Sequence, residues 1–333
     1  MPFRRHVLTG LLAGSAAGLV AAATRGLPRA FAQSIAKPAH IVVGFAAGGG
    51  TDVIARMLAE RLRGAYAPSV VVENKPGAAA RIAAEYVKSA EADGSVMLFT
   101  PDFPMTLYPH SFRSLSYDPL KDFVAVAPAA KSMLTYNVGP AVPDSVRTLG
   151  DFVQWCKANP GKASYATTAA GGAPHFVGVM LANAAGVTMT PVHYRGGAPA
   201  LQDLLGGHVP ASINPISETL SQVKAGTLRI LAVTGAKRSP FLPDIPTMTE
   251  TGYHVVVESW LGAFVPARTP AATVGALNAA LGEAARSPDL IESLAKIGNE
   301  PTHVSPEQFA AMVKADIERW GPVVKASGFV AED

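Results

Sequence analysis

Three consecutive glycines, Gly48, Gly49 and Gly50, followed by Thr51 and Asp52, stand between an apolar run at residues 41–45 and an amphipathic run at residues 53–63. A glycine turn that joins a strand to a helix aims free backbone N–H groups and the positive end of the helix at one point, which suits an anion. Two turns of similar build follow, Gly171-Gly172 before Pro174 and His175, and Gly196-Gly197 before Ala198 and Pro199. Neutral amides can hold an anion without burying an arginine in the empty site, so the lack of a cationic motif agrees with this reading. Thr51 can donate to a ligand or cap the helix, and Asp52 suits a cap or an inter-loop acceptor, because it would repel an anion. His175 falls in the first turn of a helix, where a neutral imidazole contacts the ligand or organises the loop. Tyr194 is a candidate cleft wall, Arg195 a solvated charge and Asp203 a residue that holds the third turn. Phe45 and Trp260 suit apolar walls or the core.

Other chemistries find little support. No G-x-G-x-x-G register runs through the glycines, and no Walker, H-E-x-x-H, C-x-x-C or G-x-S-x-G pattern occurs. The eight histidines are scattered without ligand spacing. No catalytic set, metal site or cofactor is therefore expected. The net charge is +3 and charged residues make up 16% of the chain, against a norm of about 25%. Nothing in this resembles a nucleic-acid footprint. The one cysteine, Cys156, excludes an intramolecular disulfide and shares helical spacing with Phe152 and Val153, as a buried small hydrophobe would.

The elements that position the turns are legible as alternating runs. Residues 1–32 read as an export signal: Arg4-Arg5 precede an apolar stretch at residues 7–23, and Ala30-Phe31-Ala32 forms a cleavage site. The paired arginines point to the twin-arginine type, with an ordinary secretory signal as the alternative. No later stretch is long and apolar enough to span a bilayer. Strands at residues 41–43, 70–72 and 96–99 alternate with helices at 53–63 and 81–88, a βαβαβ pattern that implies a parallel sheet. A second cycle has helices near 149–157, after Gly172 and Gly197, and at 218–225. Its strands lie at 164–167, 187–194, 211–213 and 228–234. A strand at 255–265 and helices at 271–285, 289–296 and 306–325 complete the chain. Proline-studded passages at 127–143 and 238–246 read as two crossovers between domains. The expected architecture is α/β with two lobes, residues 33–133 plus 256–333 and residues 134–255, and a ligand cleft between them.

These residues resemble the periplasmic solute-binding proteins of tripartite tricarboxylate transporters, also called the Bordetella uptake gene family, over nearly all of the chain after the signal. The resemblance rests on Phe45 to Asp52, on Val72-Glu73-Asn74-Lys75-Pro76-Gly77-Ala78 and on the run from His193-Tyr194-Arg195-Gly196-Gly197 to Gly206-Gly207. Ala232-Val233-Thr234 and Leu242-Pro243-Asp244-Ile245-Pro246 follow in the same order. It implies a periplasmic binding protein fold of type II that closes on a small organic carboxylate, a di- or tricarboxylate or an aromatic acid. It also implies loops from both lobes that grip the ligand through backbone N–H groups and waters. Carried over, the first loop supplies Phe45, Ala47, Gly48, Gly49, Thr51 and Asp52. The second supplies Thr167, Ala170, Gly171 and His175, with Tyr194 and Asn214 beside them. The expected partners are membrane permease subunits, with no nucleic acid, and the protein is expected to be monomeric. Presentation of the ligand to a sensor kinase, or a secreted α/β hydrolase or transferase, are the alternatives. Three departures from the family pattern carry expectations. Gly44 replaces a usual proline and loosens the approach to the first loop, and Ala169-Ala170 remove hydroxyl contacts. Asn214 stands where aspartate is common, which points to a ligand without an amino group.

Overall fold

Local patterning accounts for most of the elements. In α1 (Gly50–Leu62) the buried residues Ile54, Ala55, Leu58 and Leu62 recur at helical spacing. The adjoining strand β1 (Ala39–Val43) is almost wholly buried, as a strand covered on both faces must be. The structure is a computed structural model that describes residues 35–331. The expected export signal lies outside the described residues. Among these, no helix is long and apolar enough to cross a membrane.

After α1 come β2 (Val70–Asn74), α2 (Arg81–Lys88), β3 (Val96–Pro101), the short helices α3 (Phe103–Thr106) and α4 (Tyr108–Ser111), and the long strand β4 (Phe123–Val138). The second cycle is α5 (Leu149–Ala158), β5 (Ser164–Thr167), α6 (Ala173–Ala185), β6 (Thr190–His193), α7 (Gly197–Leu205), β7 (Ala211–Pro215), α8 (Ile216–Lys224) and β8 (Arg229–Val233). The chain ends with β9 (Glu258–Pro266), α9 (Ala271–Arg286), α10 (Pro288–Lys296), β10 (Glu300–Pro301) and α11 (Pro306–Ser327).

The strands run in the order β2-β1-β3-β9-β4-β7-β5-β6, with β8 and β10 also paired to β4. Both βαβ sets are parallel, β1 lying between β2 and β3 and β5 between β6 and β7. β4 and β9 run antiparallel to their neighbours and join the two sets. The passage at 127–143, expected as an irregular crossover, is strand as far as Val138. Pro128 is accommodated because the β4–β9 register shifts between Ala125 and Ala127 and again between Pro128 and Ala130, which removes the need for its missing N–H.

Thus β4 pairs with β9 through Met133 and with β7 from Leu134 onward, so one strand serves both halves of the sheet. Thr234 pins the place where it passes over. Its N–H donates to the Leu134 carbonyl, and its Oγ1 accepts from the Leu134 N–H at 3.1 Å and donates to the Val257 carbonyl at 2.5 Å. One core packs Ile41, Leu58 and Leu277 in the first half, and another packs Phe152, Tyr165 and Phe176 in the second. The second core also takes Phe103 and Tyr108 from α3 and α4 and Trp320 and Val324 from the end of α11. Cys156 is buried there, and burial pushes its thiol up to about 12.

Candidate functional site

The α/β architecture brings the N-termini of four helices to one cavity. Its wall includes Gly49, Gly50 and Thr51 at the start of α1, and Ala173 and Pro174 at the start of α6. Gly196 to Pro199 at the start of α7 and Pro215, Ser217 and Glu218 at the start of α8 complete this side. None of these four helices has a side-chain cap, as is also true of α2, α9 and α10, while α5 and α11 carry full capping boxes. The Gly50 N–H is taken by the Glu218 carboxylate and Pro174 and Pro199 have none, so the remaining first-turn N–H groups, with the four helix dipoles, supply the positive character of the seat. No Lys, Arg or His lines the cavity among the described residues. Phe45, Pro101, Phe103, Leu134 and Leu261 form its apolar walls, and the hydroxyls of Thr51, Ser132, Thr168, Ser217 and Ser259 stand among them. The free volume of the cavity is about 50 Å³, room for a few waters.

The first loop is held from behind. Asp52 is buried, and its carboxylate accepts from the Gly48 N–H, from Arg56 through two N–H groups and from Asn74 Nδ2, each at 2.9 Å. Asn74 Nδ2 also donates to the Phe45 carbonyl. Burial alone would raise the Asp52 carboxyl, but the bonds from Arg56, Gly48 and Asn74 together bring it below its ordinary value. Of the three glycines only Gly48 has a left-handed backbone, at φ +83°; Gly49 is extended at φ −74°. Gly50 serves a close approach instead, since a Cβ there would stand 2.6 Å from Ser217 Oγ on α8.

The second loop is organised in the same way. Gly171, at φ +68°, donates its N–H to His175 Nδ1 at 3.3 Å. Burial, and after it the neighbouring His193, lowers the His175 imidazole to about 4, so it is neutral and free to accept that bond. His193 Nδ1 meets Thr167 Oγ1 at 2.8 Å. The Tyr194 and Gly196 N–H groups donate to the Thr167 and Thr168 carbonyls, which sets the third glycine turn beside the second. Tyr194 Oη donates to Asp203 at 2.6 Å, so Asp203 does hold that turn.

Of the residues expected at a ligand, Phe45, Gly49 and Thr51 line the cavity. Ala47, Gly48, Asp52, Thr167, Ala170, Gly171, His175, Tyr194 and Asn214 lie outside its wall. Several of these make the bonds that shape the loops, because the backbone of a turn faces the cavity while its side chains point away. Asn214 is fully buried behind the wall and donates Nδ2 to Glu218 Oε2 at 2.9 Å. The charge nearest the cavity is therefore the Glu218 carboxylate, and the expectation of a ligand without an amino group loses its basis.

Pro101, Phe103, Ser132, Leu134, Ser259 and Leu261 have no motif of their own, since pairing across β3, β9 and β4 gathers them. The third glycine turn was the legible signal for Gly196 to Pro199. Nothing comparable marks Ser217 and Glu218, where β7 runs into α8 without a glycine. Trp260 lies in the core and donates Nε1 to Asp316. Between Pro101 and Phe103, Asp102 is fully buried; Ser259 Oγ donates to its Oδ1 at 2.7 Å and its Oδ2 has no partner. Burial pushes this carboxyl up to about 7, with Asp316 adding to the shift and Ser259 and Arg319 opposing it.

Known proteins share this fold. The family described as the tripartite tricarboxylate transporter family receptor matches residues 54–329. Protein BugT of Bordetella pertussis is 32% identical over 295 residues, covering 88% of this chain and 90% of its own. The solved structure of Rpa4515 from R. palustris with adipate has a TM-score of 0.84 at 32% identity, covering 89% of this chain and 98% of that one. MatC from Rhodopseudomonas palustris with bound malate has a TM-score of 0.81 at 28% identity, covering 87% and 99%. With the profile spanning most of its length and the two-lobed binding-protein fold in place, the chain belongs to the tripartite tricarboxylate transporter receptor family.

Proposed function

We propose that this protein captures a small organic carboxylate in the periplasm and delivers it unaltered to the membrane permease of a tripartite tricarboxylate-type transporter. The observation that carries the proposal is the convergence of four helix N-termini on one cavity that, among the described residues, has no basic side chain. The adipate and malate held by two structural relatives support the ligand class.

The ligand enters between residues 33–133 with 256–333 and residues 134–255. Amides of Thr51, Ala173, Gly197 and Ala198 replace its water shell. The lobes then settle about β4 and β9, a population shift driven by the ligand's higher affinity for the closed state. The loops from Phe45 to Asp52 and from Thr167 to His175 form the seat, with Asp52 and His175 positioning it.

A thermal-shift screen over di-, tri- and aromatic carboxylates, followed by calorimetry, tests the reading, because a ligand that binds only the folded state raises apparent stability. We expect at least one acid to bind. If the protein ignores all of them, or binds amines instead, the proposal falls. A deletion strain that keeps uptake but loses ligand-induced expression would move the task from transport to sensing.

A further inference from the structure

We infer that Glu218 makes this site selective for carboxylic acids that carry a hydroxyl or ammonium group near the carboxylate. This rests on the carboxylate-binding reading above and names the ligand more closely. Among the described residues, Glu218 is the one charged side chain in the cavity wall.

It stands on the first turn of α8, against the N-terminus of α7: a Cβ on Gly197 would come within 1.7 Å of Glu218 Oε2. A side chain at position 197 would displace it. Asn214 Nδ2 donates to Oε2 at 2.9 Å, and the Gly50 N–H at the start of α1 also supports the carboxylate. Burial raises this carboxyl above its ordinary value, while the Asn214 and Gly50 bonds pull it back.

An ionised carboxylate is an acceptor with about four lone-pair positions, and these two donors do not exhaust them. Glu218 lines a cavity whose other charge-like features are positive helix ends. A guest carboxylate therefore seats on the N-termini away from Glu218, and a second acceptor placed against Glu218 is repelled. A donor in that place is held by a charge-assisted bond. The same residue thus attracts one class of acid and rejects its unsubstituted analogue.

The test is calorimetry on the full mature protein with matched carboxylic acids of three to six carbons, each unsubstituted, 2-hydroxy and 2-amino. Succinate, malate and aspartate form one such set. We expect the best substituted member to bind about tenfold to a hundredfold more tightly than its unsubstituted partner. Glu218→Gln should collapse that ratio, mainly by improving the unsubstituted acid. The amide can keep the contact with Asn214, and its circular dichroism spectrum and melting profile serve as the folding control.

Loss of preference for the amino acid but not the hydroxy acid in Glu218→Gln assigns the natural donor as ammonium. The reverse assigns hydroxyl. Wild-type binding without discrimination overturns the inference, as does a variant that shifts every acid by one common factor. The wild-type comparison stands even if the variant fails to fold. Failure of every acid to bind sinks the carboxylate reading itself.

Discussion

Gly48 and Gly49 are neighbours with different duties, and substitution separates them. Gly49 is extended and lines the cavity, and a Cβ there would make only an ordinary contact with the Ala46 carbonyl. Gly49→Val should therefore keep the fold while its side chain fills the seat, abolishing calorimetric binding of whichever acid the wild type takes. Gly48 needs a left-handed backbone but has open space beside it. Gly48→Val should cost about 1–2 kcal/mol of stability in urea melts. Unimpaired binding by Gly49→Val would remove the loop from the site. Asp102 gives a pH dependence with a definite sign. Its carboxyl ionises near 3.8 when unfolded and near 7 in place, so the fold holds the proton more tightly. The contribution is intact below about pH 4 and is lost by about 1.4 kcal/mol per pH unit up to about pH 7, then levels off. Asp102→Asn, which can still accept from Ser259, should flatten that slope relative to wild type. Parallel urea-melt profiles for the two proteins between pH 4.5 and 7.5 would show that Asp102 ionises freely.

At the scale of elements, the βαβ runs were legible because the two periodicities are local. Arg81–Lys88 and Ser164–Thr167 match the structure residue for residue. α1 begins at Gly50, earlier than its first apolar residue, because its initial turn packs against a partner helix rather than a core. The turn before α2 is less orthodox: Ala78, Ala79 and Ala80 all have positive φ, at 44°, 54° and 72°. Tyr108 Oη donates to the Ala79 carbonyl and holds the turn over Gly44, where a Cβ would stand 2.4 Å from that of Ala80. Gly44 thus serves a close approach. Left-handed alanine is costly, so Ala79→Gly should raise stability by about 0.5–1 kcal/mol, the relief of strain being partly offset by a more flexible unfolded chain. Chemical denaturation checks this, and a destabilised variant would mean that the Ala79 methyl's packing outweighs the strain.

At the scale of the molecule, the two halves share β4, β9 and the far end of α11, and the proposed closure places its hinge where Thr234 crosses. Thr234 is fully buried and joins Leu134 to Val257 through one hydroxyl. Thr234→Val should cost about 1–3 kcal/mol by stranding the Leu134 N–H and the Val257 carbonyl. It should also alter ligand-induced compaction in small-angle scattering. An unchanged melting profile together with unchanged compaction would show that this crossing is not a hinge.

The amino-acid sequence by itself determined the alternation of strands and helices, the three glycine turns and the absence of any recognisable catalytic or metal motif, because each depends on neighbours within a few residues. It also carried the family, through motifs kept in order along the chain. Only the tertiary structure decided which atoms meet. Cavity formation depends on the register of β3, β9, β4 and β7, which brings Phe103, Ser259 and Pro215 together from distant stretches. That pairing sets Glu218 against Gly197 and Gly50 across the cleft. A lone glutamate in the first turn of a helix looks like a favourable dipole partner in sequence; three-dimensional packing sets it in the wall of the cavity.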